Sequence, residues 1–186
     1  MCIIANKGYY YTPHFVKSID GDTSLLQPFH QKHVVTRIPD SMYRTVIAGM
    51  AQVVEHGTGR SVQIPGVTMC GKTGTSQNPH GKDHSLFEAF APRENPRIAI
   101  AVVVENAGYG ATYAAPMASL MIEKYLHDTI AAGTRTDLMN RMINTTILPQ
   151  YLLDEMKARA AKDSLKKASA KVKEQRSHAK PVYAIK

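Results

Sequence analysis

"MCGKTGTSQNPHGKDHSLFEAFAP", Met69 to Pro92, reads as two short strands joined by a polar turn. The first strand candidate, Val67–Thr75, carries Lys72-Thr73-Gly74-Thr75, a glycine held between threonines. An interior glycine gives up packing and costs backbone entropy, so it marks a place where another group comes close to the main chain. The second candidate, His84–Ala91, is mostly apolar, and a third, Arg97–Asn106, holds the β-branched run "RIAIAVVVEN" expected of an interior strand. Connections of hairpin length join all three, which predicts an antiparallel meander.

Helices flank this meander. Upstream, "PDSMYRTVIAGMAQVVEHGTG" predicts a helix capped by Asp40 or Ser41 and ended by Gly57, with Val46, Ile47, Met50, Val53 and Val54 on one apolar face. Downstream, a loop "AGYGATYAAP" leads into "APMASLMIEKYLHDTIAAG", a helix with Pro116 in its first turn. Nearer the start, "MCIIANKG" reads as the last turns of an apolar helix, with Gly8 just past its end. "TPHFVKSI" alternates like a short strand closed by the turn "DGDT". Helix, antiparallel strands and helix in that order predict an α+β fold, an antiparallel sheet packed by helices.

At 186 residues, 44% hydrophobic and 20% charged, the chain is long and apolar enough to bury one ordinary core. No apolar run reaches the length needed to cross a bilayer, and "MCIIA" lacks the features of a signal peptide. Residues 154–186 hold ten Lys or Arg against four Asp or Glu, whereas residues 1–153 hold thirteen against eleven. The net charge of +8 therefore belongs mostly to the tail, and the body does not have the basic surface of a nucleic-acid binder. Beyond Gly133 the composition shifts. "TRTDLMNRMINTTILPQ" is either a further helix or a connector, and the Ala/Lys-rich stretch after it is helical in part and poorly cored. This divides the chain into residues 1–133 and a basic, helical or disordered tail, 134–186. No Trp or Phe interleaves with the tail lysines, and the tail's tyrosines are Tyr151 and Tyr183, so a solvated helix is the expected form.

Lys72-Thr73-Gly74-Thr75 fits the K-[ST]-G signature of penicillin-recognising serine enzymes. Three residues alone are weak, because Lys-Thr-Gly is frequent by chance. The context is what gives it weight: "IIANKGYYYTPHFVKSI", "HGTGRSVQIPGVTMCGKTGT", "HSLFEAFAP", "PRIAIAVVVEN", the Gly-rich loop and "AAPMASLMIEKYL" follow one another in order. Over about residues 1–131 the chain resembles the C-terminal part of the transpeptidase domain of class B penicillin-binding proteins, and within them the penicillin-binding protein 2 group. The resemblance implies a serine β-lactamase-like fold and a D,D-transpeptidase that cross-links peptidoglycan stem peptides ending in D-Ala-D-Ala, with β-lactams as mimics. It implies no cofactor, a placement on the periplasmic face of the inner membrane, and a membrane glycosyltransferase as a partner of the longer protein. It also implies that Lys72, Thr73, Gly74 and Thr75 form a substrate-binding strand. There, a threonine hydroxyl holds the substrate carboxylate, the Thr75 N–H completes an oxyanion hole, and Lys72 supplies positive charge. Strand alternation sends Lys72 to one face and Thr73 and Thr75 to the other.

The family pattern also needs S-x-x-K and S-x-N upstream of K-T-G, and the 71 residues before Lys72 contain neither. Ser164-Leu165-Lys166-Lys167 fits S-x-x-K but lies after the motif, in a lysine-rich tail. Ser76-Gln77-Asn78 fits S-x-N but continues the K-T-G strand and cannot face it. The expectation is therefore a C-terminal portion without a nucleophile, inactive alone. Its alternatives are a non-catalytic binding module of the same fold and a β-lactamase or β-lactam-sensor relative.

Other reactive side chains have plainer readings. His80, Asp83 and His84 fit a solvated turn, and with Cys2 and Cys70 they show no metal-ligand spacing. Cys70 is a small packing residue on the Lys72 face. Glu88 faces solvent or pairs with a nearby cation. Asn144-Thr145-Thr146 matches a glycosylation sequon without further support.

Overall fold

The computed structural model describes residues 1–35 and 37–178. Its elements in chain order are α1 (Cys2–Ala5), β1 (Tyr9–Tyr11), β2 (Lys32–Val34), α2 (Asp40–Glu55), β3 (Cys70–Ser76), β4 (His84–Ala91), β5 (Ile98–Val104), α3 (Ala114–His127), α4 (Thr134–Asn144) and α5 (Gln150–His178). Short 3-10 turns occupy Ser24–His30 and Arg60–Val62. The expected α+β architecture is present, with β3, β4 and β5 forming an antiparallel meander in that spatial order.

β4 pairs on both sides, and its side chains are the most buried of the sheet, with Phe87, Ala89, Phe90 and Ala91 fully enclosed. Alternation divides them between two cores. Phe87, Ala89 and Ala91 meet Val62, Ile64, Met69 and the small-residue face of α3, where Ala114, Ala115 and Ala118 let the helix lie close to the sheet. Phe90 and Cys70 meet Tyr43, Ile47, Met50 and Ala51 of α2, with Ala5 of α1. Gly71 belongs to this packing. A Cβ there would sit 2.5 Å from Cζ of Phe87, so only a glycine lets that ring lie beneath β3.

Several local expectations change. Residues 12–19 form no strand. The strand is Tyr9–Tyr11, just upstream, and it pairs antiparallel with Lys32–Val34. Pro13 has no N–H to give a ladder, and Phe15, Val16 and Ile19 are exposed, so the alternation finds nothing to pack against. In α2 the buried stripe is Tyr43, Ile47, Met50, Ala51 and Val54, and Val46 faces solvent. That stripe keeps a helical phase that includes the ring of Tyr43 and leaves Val46 off its edge. Neither Asp40 nor Ser41 caps α2 through its side chain. Pro39 takes the N-cap position, and Asp40 pairs with Arg44 one turn on, at 3.2 Å in solvent. β3 starts at Cys70 because Ile64 and Val67 close a tight turn before it. β5 is trimmed to Ile98–Val104.

Residues cluster into two compact units, Met1–Thr145 and Thr146–Lys186, so α4 groups with the sheet. The reason is Arg135, at the start of α4. Its Nε meets Glu123 Oε2 of α3 at 2.7 Å, and Nη2 donates to Ser119 Oγ at 3.2 Å, all three residues being buried. Glu123 Oε1 accepts the Ala131 N–H, so one carboxylate ties the α3–α4 connection and α4 to α3. The second unit is carried by α5, an exposed helix over Glu155–Lys167. Tyr183 lies outside the described residues.

Candidate active-site wall

Among the described residues β3 hydrogen-bonds only to β4, so one edge of the Lys72–Thr75 segment is open there. An open edge offers backbone N–H and C=O groups to an incoming extended chain. The two faces of β3 are set by their packing. Cys70 Sγ donates to the Ile47 carbonyl on the α2 side at 3.6 Å, whereas Gly71 faces the Phe87 ring on the α3 side. Lys72 thus shares the α2 side with Cys70, and Thr73 and Thr75 share the α3 side with Gly71, as alternation requires.

On the α3 side a cleft of about 440 Å³ opens beside the strand, lined by Thr58, Thr73, Gly74, Thr75 and the Tyr109–Thr112 loop. Three of its lining threonines come from β3 and from the "HGTGR" turn after α2. Thr73 Oγ1 and Thr58 Oγ1 are 2.8 Å apart, a hydrogen bond. Lys72, exposed on the far face, donates from Nζ to the Thr73 carbonyl at 2.6 Å while standing opposite Glu88 in register. Lys72 and Glu88 are both exposed.

The loop is held against the strand by backbone contact. A Cβ on Gly110 would sit 2.2 Å from the Leu86 carbonyl oxygen and 2.6 Å from that of Gly74. Gly110 is thus the group of this chain that comes close to the backbone at Gly74. Ser85, fully buried on β4, fixes the loop from below: its Oγ donates to the Tyr109 carbonyl at 2.9 Å and accepts from the Ala114 N–H at 3.1 Å. The β3–β4 turn fixes it from the side. Gly108 N–H donates to the Asp83 carbonyl, Asn106 N–H to His84 Nδ1, and Asn78 Nδ2 to Asn106 Oδ1 at 2.7 Å.

These bonds account for several candidates. Asp83 accepts from the Asn78 N–H and His84 from Asn106, so both serve the turn and the loop. Asn78 of the S-x-N match spends its side chain on Asn106 and the Lys82 carbonyl. Among the described residues no three metal-ligating side chains come together. Burial pushes the Cys70 thiol up to about 11, so it is protonated at neutral pH and unsuited to nucleophilic attack. Ser164 lies on exposed α5 and donates to its own helix at the Ala161 carbonyl. Sequence reasoning passed over a further S-x-x-K match, Ser177-His178-Ala179-Lys180, whose lysine lies outside the described residues. It also passed over Thr58, Ser85 and Gly110. A threonine between two glycines and a glycine-rich loop are weak signals in one sequence, and Ser85 carries none.

Residues 1–123 match the family model described as Penicillin binding protein transpeptidase domain. Peptidoglycan D,D-transpeptidase MrdA of Haemophilus influenzae is 32% identical over 149 residues, covering 69% of this chain and 23% of the relative. Peptidoglycan D,D-transpeptidase PbpA of Mycobacterium tuberculosis is 31% identical over 138 residues, covering 66% and 27%. Among solved structures, Pseudomonas aeruginosa PBP2 in complex with WCK 5153 has a TM-score of 0.56 at 35% identity, over 70% of this chain and 29% of that one. Penicillin-binding protein A from M. tuberculosis, as a ceftriaxone acyl-enzyme complex, has a TM-score of 0.55 at 29% identity, over 65% and 29%. The chain spans about a quarter of the length of these curated relatives.

Proposed function

From the premise that the chain belongs to the penicillin-binding protein transpeptidase family, we propose that β3 is the substrate-binding wall of a peptidoglycan D,D-transpeptidase. One observation carries this: an open strand edge whose Thr73 and Thr75 line a cleft with Thr58, the Thr58 and Thr73 hydroxyls being hydrogen-bonded. A stem peptide ending in D-Ala-D-Ala lies along the edge as an added strand. Its terminal carboxylate accepts hydrogen bonds from the threonine hydroxyls, and the Thr75 N–H faces the oxygen that gains charge during attack. Lys72, on the other face, supplies positive charge close to the reacting groups.

The reaction this wall serves is acyl transfer. A serine oxygen attacks the carbonyl of the penultimate D-Ala, the bond to the terminal D-Ala nitrogen breaks, and that residue leaves as a free amine. An amine of a second stem peptide then attacks the acyl-serine ester, forming the cross-link and returning the hydroxyl. A β-lactam carbonyl enters the same first step. Its serine and S-x-x-K lysine are not supplied upstream of Lys72 in this sequence, so the chain alone binds and does not acylate. In the longer enzyme this wall faces the periplasm from the inner membrane, beside a glycosyltransferase that supplies glycan strands.

The second reading is a non-catalytic module that binds the same peptide ends at this open edge. Titrating the labelled chain with N-acetyl-D-Ala-D-Ala tests what both readings share. Amide shifts should concentrate at Thr73, Gly74, Thr75 and Tyr109, and shifts confined to other surfaces would refute the assignment. Fluorescent penicillin, followed by denaturing gel and intact mass, should show no covalent adduct. A stoichiometric adduct mapped to Ser164 or Ser177 would overturn the claim that the chain lacks a nucleophile.

A further inference from the structure

Thr58 lies outside the K-T-G-T segment, yet its hydroxyl is the one that touches Thr73, fifteen residues away along the chain. The turn that presents it is tightly built. Gly57 and Gly59 on either side both donate to the Val53 carbonyl at the end of α2, at 3.1 and 2.9 Å. A Cβ on Gly57 would sit 2.9 Å from the Val53 Cα and carbonyl oxygen, so this close return requires glycine. Gln63 closes the same helix end, its Nε2 donating to the Val54 and Glu55 carbonyls at 3.0 and 2.9 Å. Thr58 is therefore held at a fixed place on a clamped turn while its side chain reaches the cleft.

We infer that Thr58 is a positioning residue that fixes the rotamer of Thr73 and aims its hydroxyl proton into the cleft. A hydroxyl has one proton and two lone pairs. When Thr58 O–H donates to Thr73 Oγ1, the Thr73 proton is left free for another acceptor, and the donated bond strengthens it as a donor. The acceptor it suits is a carboxylate, the charged end of an extended peptide. Its use for that carboxylate rests on the function proposed above, but the orientation of Thr73 does not.

Two measurements on the full chain separate these points. The first needs no ligand: three-bond couplings from the Thr73 methyl carbon to its own N and C′ report χ1. A single rotamer is expected in the parent and in Thr58→Ser, and rotamer averaging in Thr58→Val. An unchanged Thr73 rotamer in Thr58→Val would overturn the inference. The second is titration with N-acetyl-D-Ala-D-Ala. Thr58→Val should bind about two- to tenfold more weakly, the worth of one neutral hydrogen bond, and Thr58→Ser within about twofold of the parent. Thr58→Val combined with Thr73→Val should bind no more weakly than Thr73→Val alone, because Thr58 acts through Thr73. Multiplying losses, or a Thr58→Ser as weak as Thr58→Val, would overturn the positioning role. A parent that shows the fixed rotamer but no dipeptide binding would refute the carboxylate function while upholding the orientation of Thr73.

Discussion

Replacing Arg135 with methionine tests how α4 is joined to α3. Methionine keeps much of the side-chain length and the apolar stem but removes the guanidinium. In the parent, that group makes a 2.7 Å contact with Glu123 Oε2 and a second bond to Ser119 Oγ, with Glu123 only 2% exposed. Among the described residues the variant leaves the carboxylate with a single donor, the Ala131 N–H, at a buried position. Removing one partner of a buried pair costs about 3–5 kcal/mol, mostly because the surviving charge is stranded. The chain has a route that lowers this cost: α4 can detach and let water reach Glu123. The loss is then capped at the free energy that docks α4, and it appears locally. Amide exchange in Thr134–Asn144 should therefore accelerate at least a hundredfold, more than in β4. Arg135→Met with Glu123→Leu removes both charges and should recover at least half of the lost protection, as paired apolar replacement does elsewhere. Exchange in α4 within threefold of the parent for Arg135→Met would refute the claim that the pair holds this helix.

Four further outcomes follow from other features. Gly110→Ala sets a Cβ within 2.2 Å of a backbone oxygen, so it should cost about 1–3 kcal/mol and move amide resonances at Gly74, Leu86 and Tyr109 more than those of α2; an unchanged midpoint in urea would contradict this. With its thiol raised to about 11, Cys70 should stay unmodified by iodoacetamide at pH 8 in the native chain, where exposed Cys2 reacts, and become reactive in urea. Because the unfolded thiol ionises near 9 and the folded one near 11, this group favours folding below pH 9, and that contribution is lost as pH rises from 9 to 11; urea midpoints that hold steady across that window would count against it. Removing residues 154–186 should leave the amide spectrum of Met1–Thr145 in place, and loss of its dispersed strand resonances would show that the tail supports the first unit.

β4 and β5 were legible because each is a mostly apolar run bounded by glycine, proline or asparagine, and His84–Ala91 has the limits read from the sequence. Period alone misled at residues 12–19, where alternation is present but Pro13 and the lack of apolar cover prevent pairing. It also misplaced one edge of α2, since apolarity marks Val46 without saying that Tyr43 turns inward. Arg135 is of a type usually found at the surface, and its burial depends on Glu123 in another helix, so that burial could not be read locally. The same holds at the cleft. Lys72-Thr73-Gly74-Thr75 is contiguous and could be found, whereas Thr58 and Ser85 reach their partners across long stretches of chain.

Ser85 joins the carbonyl of Tyr109 to the first turn of α3, though its own side chain is sealed from solvent. In a selection for altered ligand preference, position 85 should therefore yield variants as readily as positions that line the cleft. Alanine there would leave the Ala114 N–H and the Tyr109 carbonyl to find new partners, and the Tyr109–Thr112 rim would settle elsewhere. Such a variant would change which molecules are tolerated while its own side chain meets none of them. Inheritance of specificity in this fold thus runs partly through the interior, where a survey of exposed residues would not look.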